Sequence, residues 1–186
     1  IPTGAQGASG SNIKEMLLLR ADGNSVTVDS GTYSLTNITS PAYTDYINFT
    51  ELGGSRIVYT PPSGTNIVYY EYTFLTAYYS SGEMLHLYLD IDGTEVTASR
   101  ITVGESSTRY GRVHTFAFPI VCNASTQSAA DGNFTSWTTG KTLKVMHRAY
   151  SSGLRSKLHQ TYYWAGLGGS SGSFLHKPHL KITSLS

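Results

Sequence analysis

Cysteine is almost missing from this sequence. Cys122 is the only one among 186 residues, so no disulfide can form within the chain. Stability must therefore come from packing or from assembly with other chains. We expect Cys122 itself to be a buried, unreactive thiol, because the sequence identifies no base that would activate it.

Charge is scarce as well. Charged residues make up 13% of the chain, which is about half of the usual share, and the formal net charge is +1. Such a chain has little electrostatic attraction to nucleic acids or to anionic membranes. Long apolar runs are also missing. We therefore expect no nucleic-acid partner and no membrane insertion.

Helical periodicity is nearly absent, and strand-like segments take its place. Ile67 to Tyr79 is dense in β-branched and aromatic residues on both faces, which predicts a central strand that is covered on both sides. Leu85 to Ile91 alternates between apolar and polar residues, and Asp92-Gly93 predicts a tight hairpin turn before a return strand from Thr94 to Val103. We expect these segments to form a meander at the centre of a sandwich.

The other predicted strands are shorter and lie at close spacing. Pro119 predicts an edge strand or a bulge, because proline cannot donate to a ladder. The polar loop 123–140 has Phe134 and Trp137 as its expected buried anchors. These strands are Ser11 to Ala21, Ser25 to Ser30, Gly31 to Thr39, Tyr46 to Leu52, Arg56 to Thr60, Gly111 to Val121, Thr142 to Tyr150, Lys157 to Trp164 and Leu180 to Leu185. For the first of them, a short helix capped by Ser11 or Asn12 is the alternative, because its Lys, Glu, Met and Leu residues favour helices. The pattern predicts an all-β sandwich or barrel.

Tyrosine is the abundant residue, with 14 copies. Its flat apolar ring with one polar end suits sheet surfaces, subunit interfaces and sugar-binding surfaces alike. For any single tyrosine, packing on a sheet surface is the ordinary interpretation. The sequence does not indicate which rings are exposed.

Glycine occupies every third position near the start of the chain, at Gly4, Gly7 and Gly10. That spacing is the collagen rule, because only glycine fits at the axis of three wound chains. A flexible linker rich in glycine and serine has a similar composition, and three triplets alone could not hold a triple helix. We therefore divide the chain into residues 1–12, a collagen-like stalk remnant or linker, and residues 13–186, the β-sandwich domain.

No motif specifies catalysis. The glycine-rich stretch 166–172 lacks the lysine and the helix of a phosphate loop. Asp90-Ile91-Asp92-Gly93 resembles part of a calcium loop but lacks further acidic ligands, so a hairpin turn is the better interpretation. Glycosidase chemistry would need two carboxylates at one groove, at distances that a sequence does not give. The acidic candidates include Glu71, Glu83, Glu95 and Glu105.

Six histidines are scattered along the chain, and only His176 and His179 are close in sequence. A zinc site needs three or four ligands in one closed group, and Pro178 argues against a helix face shared by these two histidines. We predict no metal site and no cofactor.

Two resemblances go further than these motifs. Glycine triplets before a compact all-β domain resemble collagen stalks that end in trimeric jelly rolls of the complement and tumour-necrosis-factor type. More specifically, several stretches within 16–186 are similar, in the same order, to the C-terminal domain of some viral and phage fibre-like structural proteins. They are Asp22 to Tyr33, Tyr59 to Thr65, Ile91 to Thr97, Thr135 to Thr138, Gly140 to Lys144 and Lys157 to His159. The resemblance implies a trimeric jelly-roll sandwich on a virion surface or fibre tip, and it implies no particular binding residues.

Our first hypothesis is a non-enzymatic trimeric head domain of a viral fibre or surface protein, which attaches to a receptor or a glycan on a host cell. Three copies would bury apolar and tyrosine-rich sheet faces around one axis, and the loops 123–140 and 150–157 would form the binding surface at the tip. The second hypothesis is a purely structural trimerisation or capsid-decorating module without a ligand. The third is a polysaccharide-degrading enzyme, for which no catalytic motif is visible.

Overall fold

The computed structural model describes residues 12–78, 83–105, 112–163 and 172–186. The glycine triplets and the stretch 166–171 lie outside these residues. The described residues contain no α-helix and one short 3-10 turn, at Ala129–Asp131. The strands are β1 (Ile13–Arg20), β2 (Ser25–Val28), β3 (Gly31–Ser34), β4 (Ala42–Tyr43), β5 (Thr50–Glu51), β6 (Ile57–Tyr59), β7 (Ile67–Tyr78), β8 (Glu83–Ile91), β9 (Thr94–Glu105), β10 (Arg112–Val121), β11 (Lys141–Ala149), β12 (Ser156–Leu158), β13 (Gln160–Tyr163), β14 (Gly172–Leu175) and β15 (His179–Leu185).

Eleven of the strands form two antiparallel sheets around one core, and β2 with β3 and β13 with β14 form two separate two-stranded sheets. In sheet I, β1, β15, β7 and β10 lie side by side in that order. Strand β12 pairs with the same edge of β7 as β15 does, near the end of β7, and β4 pairs with β12. In sheet II, β9, β8 and β11 lie side by side, and β6 and β5 share the other edge of β11. From β6 onward the chain crosses repeatedly between the sheets, which is jelly-roll connectivity. The predicted all-β antiparallel sandwich is confirmed. In the described part of the chain, no apolar helix of membrane-spanning length is found.

The central position predicted for β7 is confirmed, because β7 pairs with β15 and β12 on one edge and with β10 on the other. The predicted meander is wrong, since β8 and β9 belong to the opposite sheet and β7 pairs with neither among the described residues. The predicted hairpin between β8 and β9 is confirmed. Its turn residues Asp92 and Gly93 have φ angles of 53° and 85°, the two positive values that such a turn requires.

The tyrosine side of β7 faces the core. Val68, Tyr70, Tyr72 and Phe74 have no exposed surface. The expectation that tyrosine-rich faces lie between subunits is therefore wrong for β7, because sheet II closes this side within one chain. The opposite side of β7 is open around Tyr69, so the prediction of a strand covered on both sides fails there.

Two tyrosines of β7 reach across the core to the loop between β5 and β6. The Tyr70 hydroxyl donates to the Ser55 carbonyl at 2.5 Å, and the Tyr72 hydroxyl donates to the Gly53 carbonyl at 2.6 Å. The Ser55 hydroxyl in turn accepts from the Val145 amide at 3.0 Å, in β11. Burial raises the pKa of both phenols, so both remain protonated donors. Strand β7 is thereby tied directly to the opposite sheet.

A third tyrosine makes the reverse connection, from sheet II to sheet I. The Tyr59 hydroxyl, in β6, donates to Glu15 Oε1 in β1 at 2.7 Å and lies 2.8 Å from the Ser184 hydroxyl in β15. Glu15 is buried, and its carboxylate also accepts from the Ser30 amide and hydroxyl at 2.9 and 2.7 Å. A buried carboxylate needs such donors to offset its lost hydration. The turn between β2 and β3 is thus anchored to both sheets.

One predicted strand is broken by backbone geometry. The segment Lys157 to Trp164 divides at His159, whose φ angle is 61°, a left-handed value. The chain bends there, so β12 pairs with β7 in sheet I whereas β13 pairs with β14 in a separate hairpin. Alternation of apolar and polar residues does not reveal such a bend. It indicates which side chains share one face of a strand, but not where a residue takes a left-handed backbone conformation.

Other local predictions have mixed outcomes. The edge position of Pro119 is confirmed, since β10 pairs only with β7 in the described structure. Phe134 and Trp137 are buried anchors of their loop, as predicted. The strands predicted over Gly31 to Thr39 and Tyr46 to Leu52 are too long, because only Gly31–Ser34 and Thr50–Glu51 pair.

Replacing Tyr70 with Phe should lower the free energy of unfolding by about 1–3 kcal/mol, because the buried Ser55 carbonyl loses its donor. Chemical denaturation followed by fluorescence would measure the change. The matched control is Tyr69→Phe, the neighbouring ring on the open side, which should change stability by less than about 0.5 kcal/mol. Equal losses in the two variants would contradict the role assigned to the Tyr70 hydroxyl.

Candidate functional site

The outer side of sheet I carries an apolar face, which we define by Ile13, Met16 and Leu18 in β1, Tyr69 in β7 and Val113 in β10. These side chains are between 37% and 66% exposed, although large apolar side chains usually avoid water in such groups. The register places Met16, Thr183, Tyr69 and Pro119 in one row across the sheet, and Leu18, Lys181, Glu71 and Ala117 in the next.

The middle of the apolar face is electrically balanced. Lys181 Nζ lies 2.7 Å from Glu71 Oε2 in the second row. Both side chains are partly exposed, so the pair adds little stability by itself. Its effect is to leave the centre of the face without net charge.

The outer side of sheet II carries a different feature, a cleft of about 380 Å³. Its floor is formed where the register places Arg148, His86 and Thr102 in one row across β11, β8 and β9. His86 Nδ1 lies 2.8 Å from the Thr102 hydroxyl, which fixes the imidazole on the sheet. Strands β8 and β11 alternate strictly, so these polar side chains point outward while their apolar neighbours fill the core.

Aromatic rings and an arginine form one wall of this cleft. Phe49, just before β5, packs on Tyr88 with a centroid distance of 4.8 Å. The Arg148 guanidinium lies over the Phe49 ring, with Cζ 4.9 Å from the centroid. Among the described residues, Arg148 has no carboxylate partner, and its buried Nε has no hydrogen-bond partner. Burial raises the pKa of Tyr88, and the charges of Glu95 and Asp90 raise it further.

A bulge in β9 shapes the opposite wall. The pairing between β8 and β9 shifts between Leu87 and Leu89, and the buried Ser99 hydroxyl fills the gap by accepting from the Leu89 amide at 2.7 Å. Bulges commonly redirect side chains in this way. Here Arg100 and Glu95, at either side of the bulge, form an ion pair that lines the cleft.

The four candidate glutamates lie in three places in the structure. Glu71 lies on the apolar face and Glu95 in the cleft, whereas Glu83 is buried in β8 with His114 Nε2 at 3.6 Å. The side chain of Glu105 lies outside the described residues. The register places Glu83 and Glu105 opposite each other on β8 and β9, whereas Glu71 and Glu95 lie on the outer sides of different sheets.

The two aspartates of the hairpin are used locally. Asp90 accepts from the Gly93 amide at 3.0 Å, and Asp92 accepts from the Thr142 amide at 2.8 Å. In β11, Lys141 Nζ lies 3.2 Å from Asp92 Oδ2, and Lys144 Nζ lies 3.6 Å from Asp90 Oδ1. These contacts fit the hairpin interpretation. Within the described ranges, no group of three or more His, Cys, Asp and Glu side chains is arranged to hold a metal ion.

Cys122 is buried, and burial raises the pKa of its thiol to about 12. The thiol therefore stays protonated at neutral pH, which confirms the expectation of a buried and unreactive cysteine.

Three histidines that are distant in sequence interact in the structure: His147, His159 and His176. Burial lowers the pKa of His147 and of His159 to about 4 each, and the other two imidazoles of this group lower that of His159 further. Burial and the neighbouring His179 and Arg20 lower the pKa of His176. In the described structure, neither ring nitrogen of His159 has a hydrogen-bond partner, so the fold holds this ring neutral.

The expected binding surface at one tip is wrong. The loops 123–140 and 150–157 precede and follow β11, so they lie at opposite ends of the sandwich. Sequence analysis also missed the cleft. The alternation of β8 and β11 places His86, Tyr88 and Arg148 on one outward face, but Phe49 and the β9 bulge could not be placed from sequence.

No protein-family model matches the sequence, and no curated protein matches it. Among solved structures, the chain is similar to the CBM36-1 domain of a multidomain xylanase from the hindgut metagenome of Trinervitermes trinervoides. The identity is 10% over 90% of this chain and 96% of that chain, and the TM-score is 0.35. A likeness of this size carries no argument about fold or ligand, so the architecture rests on the strand order described above.

Acid should destabilise the fold through His147 and His159. Their pKa values are lower in the folded state than the ordinary 6.5, so their stabilising effect is complete above pH 6.5 and is lost as the pH falls towards 4. At pH 4.5 the loss should be about 2–3 kcal/mol per histidine. Urea unfolding at pH 7.5 and 4.5 would measure it.

Between these pH values, the free energy of unfolding of the double variant His147→Gln/His159→Asn should fall by several kcal/mol less than that of the wild type. Asparagine is chosen at position 159 because it tolerates the left-handed backbone there. The control is His86→Gln, on the sheet surface, which should keep the wild-type pH dependence. A double variant with the full wild-type loss would contradict the assignment.

Proposed function

We propose that this chain is a non-enzymatic, homotrimeric head domain of a virion fibre or surface protein, which attaches to a host-cell surface. The observation that carries the proposal is the apolar face of sheet I. It is a group of exposed aliphatic and aromatic side chains on the outer side of a sheet whose inner side packs in the core.

A further copy of the same chain is the occupant that best fits this face. The ion pair of Lys181 and Glu71 leaves its centre without net charge, so a strongly charged partner would gain nothing there. Around a symmetry axis, identical faces can also match each lysine with a glutamate of the next copy. Burying the aliphatic side chains would contribute about 25 cal/mol for each Å² removed from water.

The position of the glycine triplets favours three copies. Gly10 lies three residues before Ile13, where β1 begins, and β1 provides Met16 and Leu18 to the apolar face. A triple helix formed by the triplets would deliver three β1 strands to one axis. With Cys122 as the only cysteine, the assembly would depend on this packing and not on disulfides.

The virion location is supported by the resemblance of the stretches within 16–186 to fibre-like structural proteins of viruses and phages. The non-enzymatic assignment is supported by the composition of the cleft. The cleft contains one of the four candidate glutamates, Glu95, and Arg100 neutralises it. Glycosidase chemistry would need a second carboxylate facing the same groove. The alternative of a purely structural trimer differs only in having no ligand.

Light scattering coupled to size-exclusion chromatography tests the assembly. The full chain should elute with three times its 20.2 kDa mass. Leu18→Asp should give a folded monomer, because it places an unpaired charge in the apolar face. The matched control is Val58→Asp, which changes an apolar side chain of similar exposure on sheet II, 57% against 60%, and should remain trimeric. A monomeric wild type at micromolar concentration would overturn the proposal, as would equal behaviour of the two variants.

A further inference from the structure

We propose that the cleft on the outer side of sheet II binds a carboxylate-bearing saccharide. This inference rests on the proposed function for its biological role, since it names the ligand class through which attachment would occur. Its chemistry is independent of assembly, because one chain supplies every side chain of the cleft.

The charges of the cleft favour an anion. Arg100 is neutralised by Glu95, and the nearby Lys144 lies 3.6 Å from Asp90. Arg148 has no such partner among the described residues, so one positive charge is left uncompensated. A partly buried charge without a partner is unfavourable, and an anion that supplies the missing acceptor removes that penalty.

The single arginine of the site fits a carboxylate. The Arg148 guanidinium lines the cleft and is held over the Phe49 ring. A planar fork held in this way matches the two oxygens of a carboxylate. A densely sulfated chain would need a broad basic patch, whereas this cleft offers one free arginine.

The surroundings of Arg148 suit a sugar. The Phe49 and Tyr88 rings form an apolar wall on which the C–H face of a pyranose can pack. Thr102 and His86 on the floor offer hydroxyl and imidazole groups for hydrogen bonds. A volume of about 380 Å³ lies within the usual range for small-molecule sites.

The exposed Tyr150 extends the binding surface beyond the cleft. Its ring centroid lies 5.5 Å from that of His86. A second sugar unit could pack there, so an oligosaccharide should bind better than a single sugar. In the proposed trimer, three such clefts on the outward sheets would convert weak single contacts into firm attachment.

The test is a calorimetric titration of the full chain with an oligosaccharide that contains glucuronate, and with the same oligosaccharide after reduction of its carboxylates to alcohols. The native oligosaccharide should bind saturably and the reduced one at least about tenfold more weakly. Arg148→Met should also weaken binding of the native form by at least about tenfold, and Arg148→Lys should restore it only in part, because lysine lacks the planar fork.

The matched control is Lys144→Met, which removes a charge from the same strand and face and should leave the dissociation constant within about twofold of the wild type. The Leu18→Asp monomer should bind with the same affinity for each site, which separates ligand recognition from assembly. Three results would overturn the inference and leave the trimer intact. They are no saturable binding, equal binding of the reduced oligosaccharide, and unchanged binding by Arg148→Met.

Discussion

The architecture depends on one constraint, that a tyrosine hydroxyl inside an apolar core must find a hydrogen-bond partner. Tyr70 and Tyr72 meet it by crossing from sheet I to the carbonyls of Ser55 and Gly53, and Tyr59 meets it in the other direction at Glu15. A hydrophobic interface alone would tolerate several sheet registers, whereas these directional contacts select one. In a chain with a single cysteine, they are directional connections between the two sheets, and the contact of Glu83 in β8 with His114 in β10 is another.

This use of tyrosine determines what the two outer faces can do. Because Tyr70 and Tyr72 of β7 are turned inward, the apolar face of sheet I is mostly aliphatic. Tyr69 is its aromatic member, Met16 and Leu18 lie at its edge, and the face offers few groups for recognising a polar ligand. Sheet II has the opposite composition, with Arg148 and His86 beside aromatic rings. The proposed self-association and the proposed ligand recognition therefore lie on opposite sides of one sandwich, so a mutation on one side should leave the other unchanged.

The sequence predicts elements whose signal is local. Alternation defined β8 and β11, Asp92-Gly93 defined the hairpin turn between β8 and β9, and Pro119 marked an edge strand. It failed where a neighbour distant in sequence decides the outcome. Which side of β7 faces the core depends on sheet II, and the bend at His159 depends on the handedness of one residue. The cleft was missed for the same reason, since Phe49 and Arg148 meet only after β5 pairs with β11.

Hydroxyl-radical footprinting of the wild type and of Leu18→Asp tests the central claim, that one chain closes its own tyrosine-lined core and that copies of the chain cover its apolar face. The account predicts that Met16 and Tyr69 are protected in the wild type and reactive in the variant, while Tyr70 and Tyr72 are protected in both. Equal reactivity of Met16 in the two proteins would contradict coverage by copies, and oxidation of Tyr70 in the variant would contradict a core closed within one chain.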